Sequence, residues 1–369
     1  MDFRFEPYTE SHLAGVRAFN QRLREGKAAY VFSEDAPAPV PESESIRPRS
    51  FVVLEGEDVR GGFILIRYPG CFATGEKIPV LNCRLPISEG IVNNKYSLLG
   101  LRILKHIQKQ SPYIFALGMG GEQLAFPRLL RGAGWTLRPV PFLFRIVRAR
   151  EFLSNLQMLQ RSLGRRVFAR LAGITGAGTI GAALLQGRSV LGGSSSIGLS
   201  IERVNEWGSW ADDIWAQFQP LCSFSVARDR GTLEKLYPLK DGKIAAFLIR
   251  RAGRPVGWLA ALDSQMHGHR YFGNMRVATI LDCATIFNEM AGIVTLATRE
   301  LARSGADIVI TNQSHRDWVK AFKKAGFLQS KSNYILGLSK DLAVSISRNA
   351  GGMERVHFTR GDSDGRMHL

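Results

Sequence analysis

Cysteine is sparse in this chain of 369 residues, and its four copies, Cys71, Cys83, Cys222 and Cys283, lie far apart without a CxxC pair. That spacing excludes a zinc cage and a disulfide framework, and it fits reduced thiols in the cytosol. A long apolar run is also missing. The longest weakly charged stretch, Val167 to Gly187, carries Arg170 and five glycines and makes a poor spanning helix. Asp2, Arg4 and Glu6 stand where a secretory leader needs apolar residues, so no export is expected. Acid is the third shortage: 32 aspartates and glutamates face 49 lysines and arginines, a net charge of +17. A surface so basic favours an anionic partner, whether a phosphorylated cofactor, an acidic membrane leaflet or nucleic acid.

What is present reads as two α/β units. The length suits two domains of about 150 residues. Phe3 to Tyr8 has a strand pattern, and Leu13, Val16, Phe19 and Leu23 recur at helical spacing over Glu10 to Arg24. Phe51 to Leu54 and Gly62 to Arg67 flank the turn Glu55 to Gly61 as a hairpin. Ile87 to Val92 predicts a strand that runs into Asn93 to Gly100 and a helix ending near Gln108. Pro112 to Gly118 follows as a strand, Glu122 to Arg131 as a helix, and Pro141 to Val147 as the strand that ends the unit. A similar order returns with Gly198 to Val204, Trp210 to Gln217, and the hairpin of Ala245 to Arg250 with Gly257 to Leu262. Arg276 to Asp282, a helix over Ala291 to Ala302, the strand Asp307 to Thr311 and the helix Asp317 to Ala325 complete it. The repetition is one of architecture and predicts mixed, mostly antiparallel sheets flanked by helices. The expected division is 1–150, a basic glycine-rich connector at 151–197, 198–340, and an extended tail at 341–369.

Arg145 to Arg170 holds seven arginines and one acid, Glu151, with Phe152, Leu156, Leu159 and Leu163 at helical intervals. It reads as a basic amphipathic helix, either a solvated connector or a contact with anionic lipid. Gly176-Ala-Gly-Thr-Ile-Gly181 matches GxGxxG but lacks the strand before it, and reads as a hinge. His267-Gly-His269 has no neighbouring ligand to complete a metal site, and Asp362-Ser-Asp364-Gly lacks the rest of a calcium loop. No metal is expected.

The passage from Ser88 through Asn93, Asn94 and Lys95 to Gly100 and Leu104 resembles the strand, pyrophosphate loop and helix of GNAT acyltransferases. In that family successive backbone N–H groups and a helix N-terminus face the pyrophosphate of an acyl-CoA. The resemblance implies donor contacts from Val92, Asn94, Lys95, Tyr96, Ser97, Leu99, Gly100 and Leu101. Lys95 stands for the family's Arg or Gln, Gly100 for its last glycine, and Leu98 replaces its first. In the second unit Gly292 is the matching glycine. Trp318 to Phe327 looks like the family's final helix with its Gly-Phe ending, echoed by Leu129 to Trp135. Phe322 and Leu130 occupy the place of the family's tyrosine acid, so another group or water would serve. The layout over roughly residues 1 to 340 is similar to bacterial tandem GNAT-like proteins, including those associated with polysaccharide synthesis, and to Fem-type aminoacyl transferases.

That resemblance implies transfer of an acyl group from acetyl-CoA or another acyl-CoA to an amine or hydroxyl of a sugar or cell-envelope precursor, in the cytoplasm or peripheral to the inner membrane. A tRNA-dependent aminoacyl transferase and an inactive membrane scaffold are the alternatives. Glu89, at the strand end entering the loop, is the candidate base, against the reading that it faces solvent or caps a neighbour. Asp282 and His315 are candidates in the second unit, His315 because it titrates near neutrality and against the reading of a helix cap. Arg228-Asp-Arg230 lines an acceptor pocket or forms a charged turn.

Overall fold

The computed structural model describes all residues except 1, 39, 42, 153, 155–195, 270–271, 287–288, 350 and 364–369. The hinge motif and most of the arginine-rich stretch therefore lie outside the described residues. The strands are β1 (Arg4–Pro7), β2 (Pro48–Glu55), β3 (Asp58–Phe72), β4 (Lys77–Ser88), β5 (Ile114–Leu117), β6 (Thr136–Pro139), β7 (Phe142–Ile146) and β8 (Leu199–Val204). They continue as β9 (Phe224–Val226), β10 (Ile244–Arg251), β11 (Arg254–Gln265), β12 (Arg276–Thr285), β13 (Ile308–Asn312), β14 (Leu328–Ser330), β15 (Ile335–Leu338) and β16 (Val356–His357). The helices are α1 (Leu13–Glu25), α2 (Leu99–Gln110), α3 (Ala125–Gly132), α4 (Trp210–Phe218), α5 (Arg230–Leu236), α6 (Met290–Arg303), α7 (Arg316–Lys324) and α8 (Lys340–Ser347).

Two sheets form, each mixed and mostly antiparallel. One runs β1-β2-β3-β4-β5-β15-β6 and the other β14-β7-β13-β12-β11-β10-β8. Both hairpins lie where alternation and turn residues put them, with β2 on β3 and β10 on β11. Within these runs each sheet has a parallel junction, β4 with β5 and β12 with β13, because a helix, α2 or α6, carries the chain across; off these runs, β16 adds a further parallel pairing on β9. Leu99, Ile103, Leu104 and Ile107 form the buried stripe of α2, packed into a core with Phe63, Leu65 and Leu130. In the other sheet α6 buries Ile293, Val294, Ala297 and Leu301.

One packing detail repeats. A Cβ on Gly61 of β3 would lie 3.2 Å from Ile103 of α2, and a Cβ on Gly257 of β11 would collide with Ile293 of α6. Glycine lets the helix approach the sheet at equivalent places in both units. Aligning Ile103 with Ile293 puts Met290 opposite Gly100, so Gly292, the match expected from sequence, lies two residues too far along.

The compact units are not the consecutive blocks 1–150 and 198–340. One comprises Met1–Gly70, Lys77–Arg138 and Ile335–Ser345; the other comprises Cys71–Glu76, Pro139–Tyr334 and Ile346–Leu369. The strands exchange: β7, expected to end the first unit, runs between β13 and β14, and β15 runs between β5 and β6. Arg145, counted with the basic helix, is in β7, buried, and donates from Nη1 to the Ala325 carbonyl at 2.8 Å. The stretch after 340 is not extended. It forms α8, β16 and a 3-10 turn at Arg360–Asp362, and buries Leu342, Ile346, Val356 and Phe358. Among the described residues no helix is long and apolar enough to cross a membrane, and no group of His, Cys, Asp and Glu could hold a metal.

Candidate active site

In the first unit β4 is paired to β5 only through Leu81–Ile114 and Asn82–Phe115. β4 then runs on to Ser88, with Leu85 in the left-handed region at φ 43°, while β5 stays with β15. The parting of two parallel neighbours opens a slot in the sheet. Expectation and structure differ at its rim: the strand ends at Ser88, and Glu89–Ile91 is a 3-10 turn instead of strand. Pro79 and Pro86 obscured the true extent of β4, since proline cannot donate to a ladder.

The loop beyond the slot is tightly built. Asn93 accepts the Lys95 N–H with its side chain at 3.0 Å, and the Tyr96 N–H bonds the Asn93 carbonyl. The Tyr96 hydroxyl donates to Glu55 at 2.6 Å, and the Arg60 guanidinium lies 4.9 Å from the Tyr96 ring centre. Asn93, Asn94, Lys95, Ser97 and Leu98 are exposed, whereas Tyr96 and Leu99 are buried. Of the expected donor contacts, Tyr96 and Leu99 thus shape the loop, and Asn94, Lys95 and Ser97 present polar groups. The Lys95 ammonium is favoured by its hydrogen bond with Tyr96 and by Glu55, which raise its pKa. A cavity of ≈ 530 Å³ opens beside the loop, lined by Arg22, Gly26, Glu89, Val92, Asn93 and Asn94. A Cβ at Gly100 would meet Leu129 and Ser88 only at ordinary distances of 3.6 and 3.7 Å, so packing alone does not demand glycine there.

Glu89 is buried and gripped from two sides. Arg22 donates to it at 3.0 Å, and Arg60 at 3.1 Å. Its oxygens are occupied by guanidinium donors, a geometry that ties α1 and β3 to the loop and suits a clamp better than the base expected from sequence.

The corresponding slot in the second unit has the same origin. β12 follows β13 in parallel from Val277–Ile308 to Ile280–Thr311, then departs at a bulge opposite Ala260 and Ala261. Here the chain fills its own opening. Ser314 donates its N–H to the Phe358 carbonyl, Gln313 bridges Thr359, and Asp282 of β12 meets His357 at 3.1 Å. Behind them Arg228 donates to Asp282 at 2.5 Å and to both oxygens of Asp362, at 2.7 and 2.8 Å. The Tyr237 hydroxyl completes the group by donating to Asp282 at 2.8 Å. Arg228, Asp282, His357 and Asp362 have no exposed surface. A Cβ at Gly361 would run into the Tyr237 hydroxyl, so only glycine lets the segment lie this close.

Burial disfavours charge on Asp282, yet Arg228 and the hydrogen bonds from His357 and Tyr237 hold its carboxyl below the usual range. Asp362 goes the other way, raised first by burial and also by Asp282, although Arg228 opposes the rise. The guanidinium thus favours ionisation of both carboxylates, and it is burial together with the charge of Asp282 that favours a proton on Asp362. His315 does not join them as a base. It caps α7, its Nδ1 accepting the Asp317 N–H at 3.2 Å and its Nε2 facing the Leu221 carbonyl at 3.2 Å. Burial and the nearby His357 push its pKa down to about 4.

The structure therefore brings Asp282 together with Arg228, as charged members of one buried cluster, and leaves Glu89 in the other unit. Sequence reasoning missed Tyr237, His357 and Asp362 as members. The only local signal for 356–359 was the alternation of Val356 and Phe358, too short to separate a strand from a tail. Phe322 and Leu130, the residues in the place of a tyrosine acid, are fully buried core side chains.

No family model and no curated protein matches the sequence. Solved structures do. The fold is similar to that of a GCN5-related N-acetyltransferase from Anabaena variabilis, at 13% identity and TM-score 0.50, over 91% of this chain and 72% of that one. It is similar to a conserved protein of unknown function from Enterococcus faecalis described as a probable N-acyltransferase, at 11% identity and TM-score 0.51, over 94% and 74%. The N-myristoyltransferase of Saccharomyces cerevisiae, solved with bound myristoyl-CoA, is similar at 10% identity and TM-score 0.52, over 96% and 84%. The architecture is that of tandem GNAT-like domains, each with a parallel strand pair that splays beside a crossover helix.

Proposed function

We propose that this chain is an acyl-CoA-dependent acyltransferase whose donor site is in the first unit. The carrying observation is the contrast between the slots: β4 and β5 part beside an exposed polar loop, whereas the corresponding opening between β12 and β13 is filled by residues 356–362. The connection into α6 supports the same assignment. Only residues 286–289 join β12 to α6, and Glu289 at the cap of that helix is held by Arg251 at 2.5 and 2.8 Å. A carboxylate at a helix N-terminus takes the place favourable to a phosphate.

In the first unit the pantetheine arm would lie along β4 in the slot. The Lys95 ammonium and the amide of Asn94 would face the pyrophosphate, with the N-terminus of α2 behind them, while the Asn93 N–H is spent on the Glu89 carbonyl. The acceptor's nitrogen or oxygen attacks the thioester carbonyl carbon, the carbon–sulfur bond breaks, and the leaving thiolate takes the proton released by the acceptor, directly or through water. Glu89 holds the loop in register through Arg22 and Arg60. The family resemblance extends this reading to a sugar or cell-envelope acceptor, a myristoyl-CoA complex among the similar structures supports an acyl-CoA donor, and the choice of acyl chain is left to titration.

Calorimetric titration with acetyl-CoA and longer acyl-CoAs tests the reading. Lys95→Glu, at an exposed position, should weaken donor binding by about tenfold or more with unchanged melting, because it reverses a charge facing the pyrophosphate. Saturable binding that ignores this substitution would move the donor out of the first unit. Absence of binding by every acyl-CoA would favour the tRNA-dependent or non-catalytic alternatives.

A further inference from the structure

A second opening lies at the far end of β12 from its filled slot. It is a cavity of ≈ 630 Å³ within the second unit, lined by Arg148, Arg150 and Ser154 after β7, by Arg276 at the start of β12, and by Arg303 and Asp307 around the end of α6, among others. The run from Arg276 to Asp282 at the bulge separates the two by about 20 Å at strand rise. It is therefore a different place from any donor slot.

The lining chemistry leans basic, although Arg303 is already paired with Glu300 and Glu151 stands among the lining residues. It includes four arginines and two acids, and no aliphatic or aromatic side chain larger than glycine contributes to it. The acids are partly spoken for. Asp307 is buried, and its carboxylate accepts the Arg276 backbone N–H at 2.8 Å. Arg276 in turn is fixed by a two-pronged bond to Asp263, at 2.8 Å on both contacts, and its Nη1 would be 3.0 Å from a Cβ at Gly305. Gly305 has φ 109°, so the turn that seats this guanidinium admits no ordinary side chain. The α6 carbonyls that would oppose an anion here are capped: Ser304, Gly305 and Ala306 donate their N–H groups to Glu300, Ala302 and Leu301. Arg148 and Arg150 extend from the other wall with exposed side chains.

We infer that this cavity binds a phosphate-bearing anion, a phosphomonoester or diphosphate group. Guanidinium forks from two walls match the paired oxygens of such a group, and the lack of apolar lining fits a hydrated polyanion better than an acyl chain or a ring. The same chemistry is offered by a soluble phosphorylated compound and by the headgroup of an anionic lipid.

The test uses the full chain with inorganic pyrophosphate as calorimetric probe, and phosphatidate-containing vesicles with neutral phosphatidylcholine vesicles as control. Pyrophosphate should bind at one saturable site once the proposed donor loop, which also faces a pyrophosphate, is silenced by Lys95→Glu in every protein compared. Arg148→Glu with Arg150→Glu should weaken it by about a hundredfold, roughly tenfold for each charged bond lost. Lys323→Glu with Lys324→Glu, on the exposed face of α7, makes the same change in net charge and should leave affinity within about twofold. Melting curves of both variants confirm that each is folded. Vesicle binding displaced by pyrophosphate assigns a lipid headgroup, and pyrophosphate binding without vesicle binding assigns a soluble ligand. Equal losses in both variant pairs, or no binding to pyrophosphate or phosphatidate in the Lys95→Glu background, would overturn the inference.

Discussion

Arg228 faces two carboxylates in a fully buried place, and its own charge survives there only because of them. Burial opposes that charge, while Asp282 and Asp362 raise its pKa above the ordinary value. His315, packed against Phe218 and His357, has the opposite problem, since burial and His357 make its proton unwelcome. Its titration has a definite sign. Below its unfolded pKa near 6.5 the unfolded chain takes up a proton that the folded one refuses until about pH 4, so stability falls as pH drops through that window. The shift corresponds to on the order of 3 kcal/mol, with Asp317 and the Leu221 carbonyl opposing the effect and Arg355 adding to it. His315→Asn keeps an oxygen to cap α7 and removes the titrating ring. Its urea-unfolding stability, measured from pH 7 to pH 4, should decline less than the wild type's; parallel curves would show that another group carries the acid sensitivity.

Among elements, the segment from Val356 to Ser363 has an influence out of proportion to its length. It contributes a two-residue strand on β9, a bridge to Gln313 and a buried carboxylate on Arg228. Its close seating depends on Gly361. Gly361→Val should drive the side chain into Tyr237 and cost about 2–4 kcal/mol in the second unit, as overpacking and a broken buried network do together. Loss of cooperativity in the tryptophan fluorescence transition would report it, and a wild-type midpoint would contradict the packing argument. The legibility of elements follows their range of interaction. The hairpins and the α1 and α2 stripes could be read because turn chemistry and helical periodicity act over neighbouring residues. β15 could not, since Ile335–Leu338 is four apolar residues whose partner Phe115 lies over two hundred positions earlier. At the site, the loop from Asn93 to Gly100 was visible as a motif. The clamp on Glu89 was not, because Arg22 and Arg60 reach it from α1 and β3.

On the scale of the whole molecule, the exchange of β7 and β15 makes two repeats into one interdependent chain. Within the first unit Ser339 anchors the returning chain by accepting the Ile114 N–H at 3.1 Å and donating to the Pro112 carbonyl at 2.6 Å. A fragment ending at 197 lacks β15 and leaves β5 and β6 without the strand between them; a fragment starting at 198 lacks β7. Each alone should give the broad, uncooperative melting of an incomplete sheet. Mixed as co-expressed halves they should recover a single sharp transition, and an independently stable 1–197 fragment would refute this.

The exchange also bears on synthesis. A ribosome releases this chain from its first residue onward, and the sheet that holds the proposed donor slot waits for Ile335 to Leu338 before its last gap closes. Until translation has passed that point, β5 has an open edge toward the crowded nascent environment. Catalytic competence would thus arrive late and all at once, and a prematurely terminated product would be marked for degradation by its unfinished sheet and carry no partial activity.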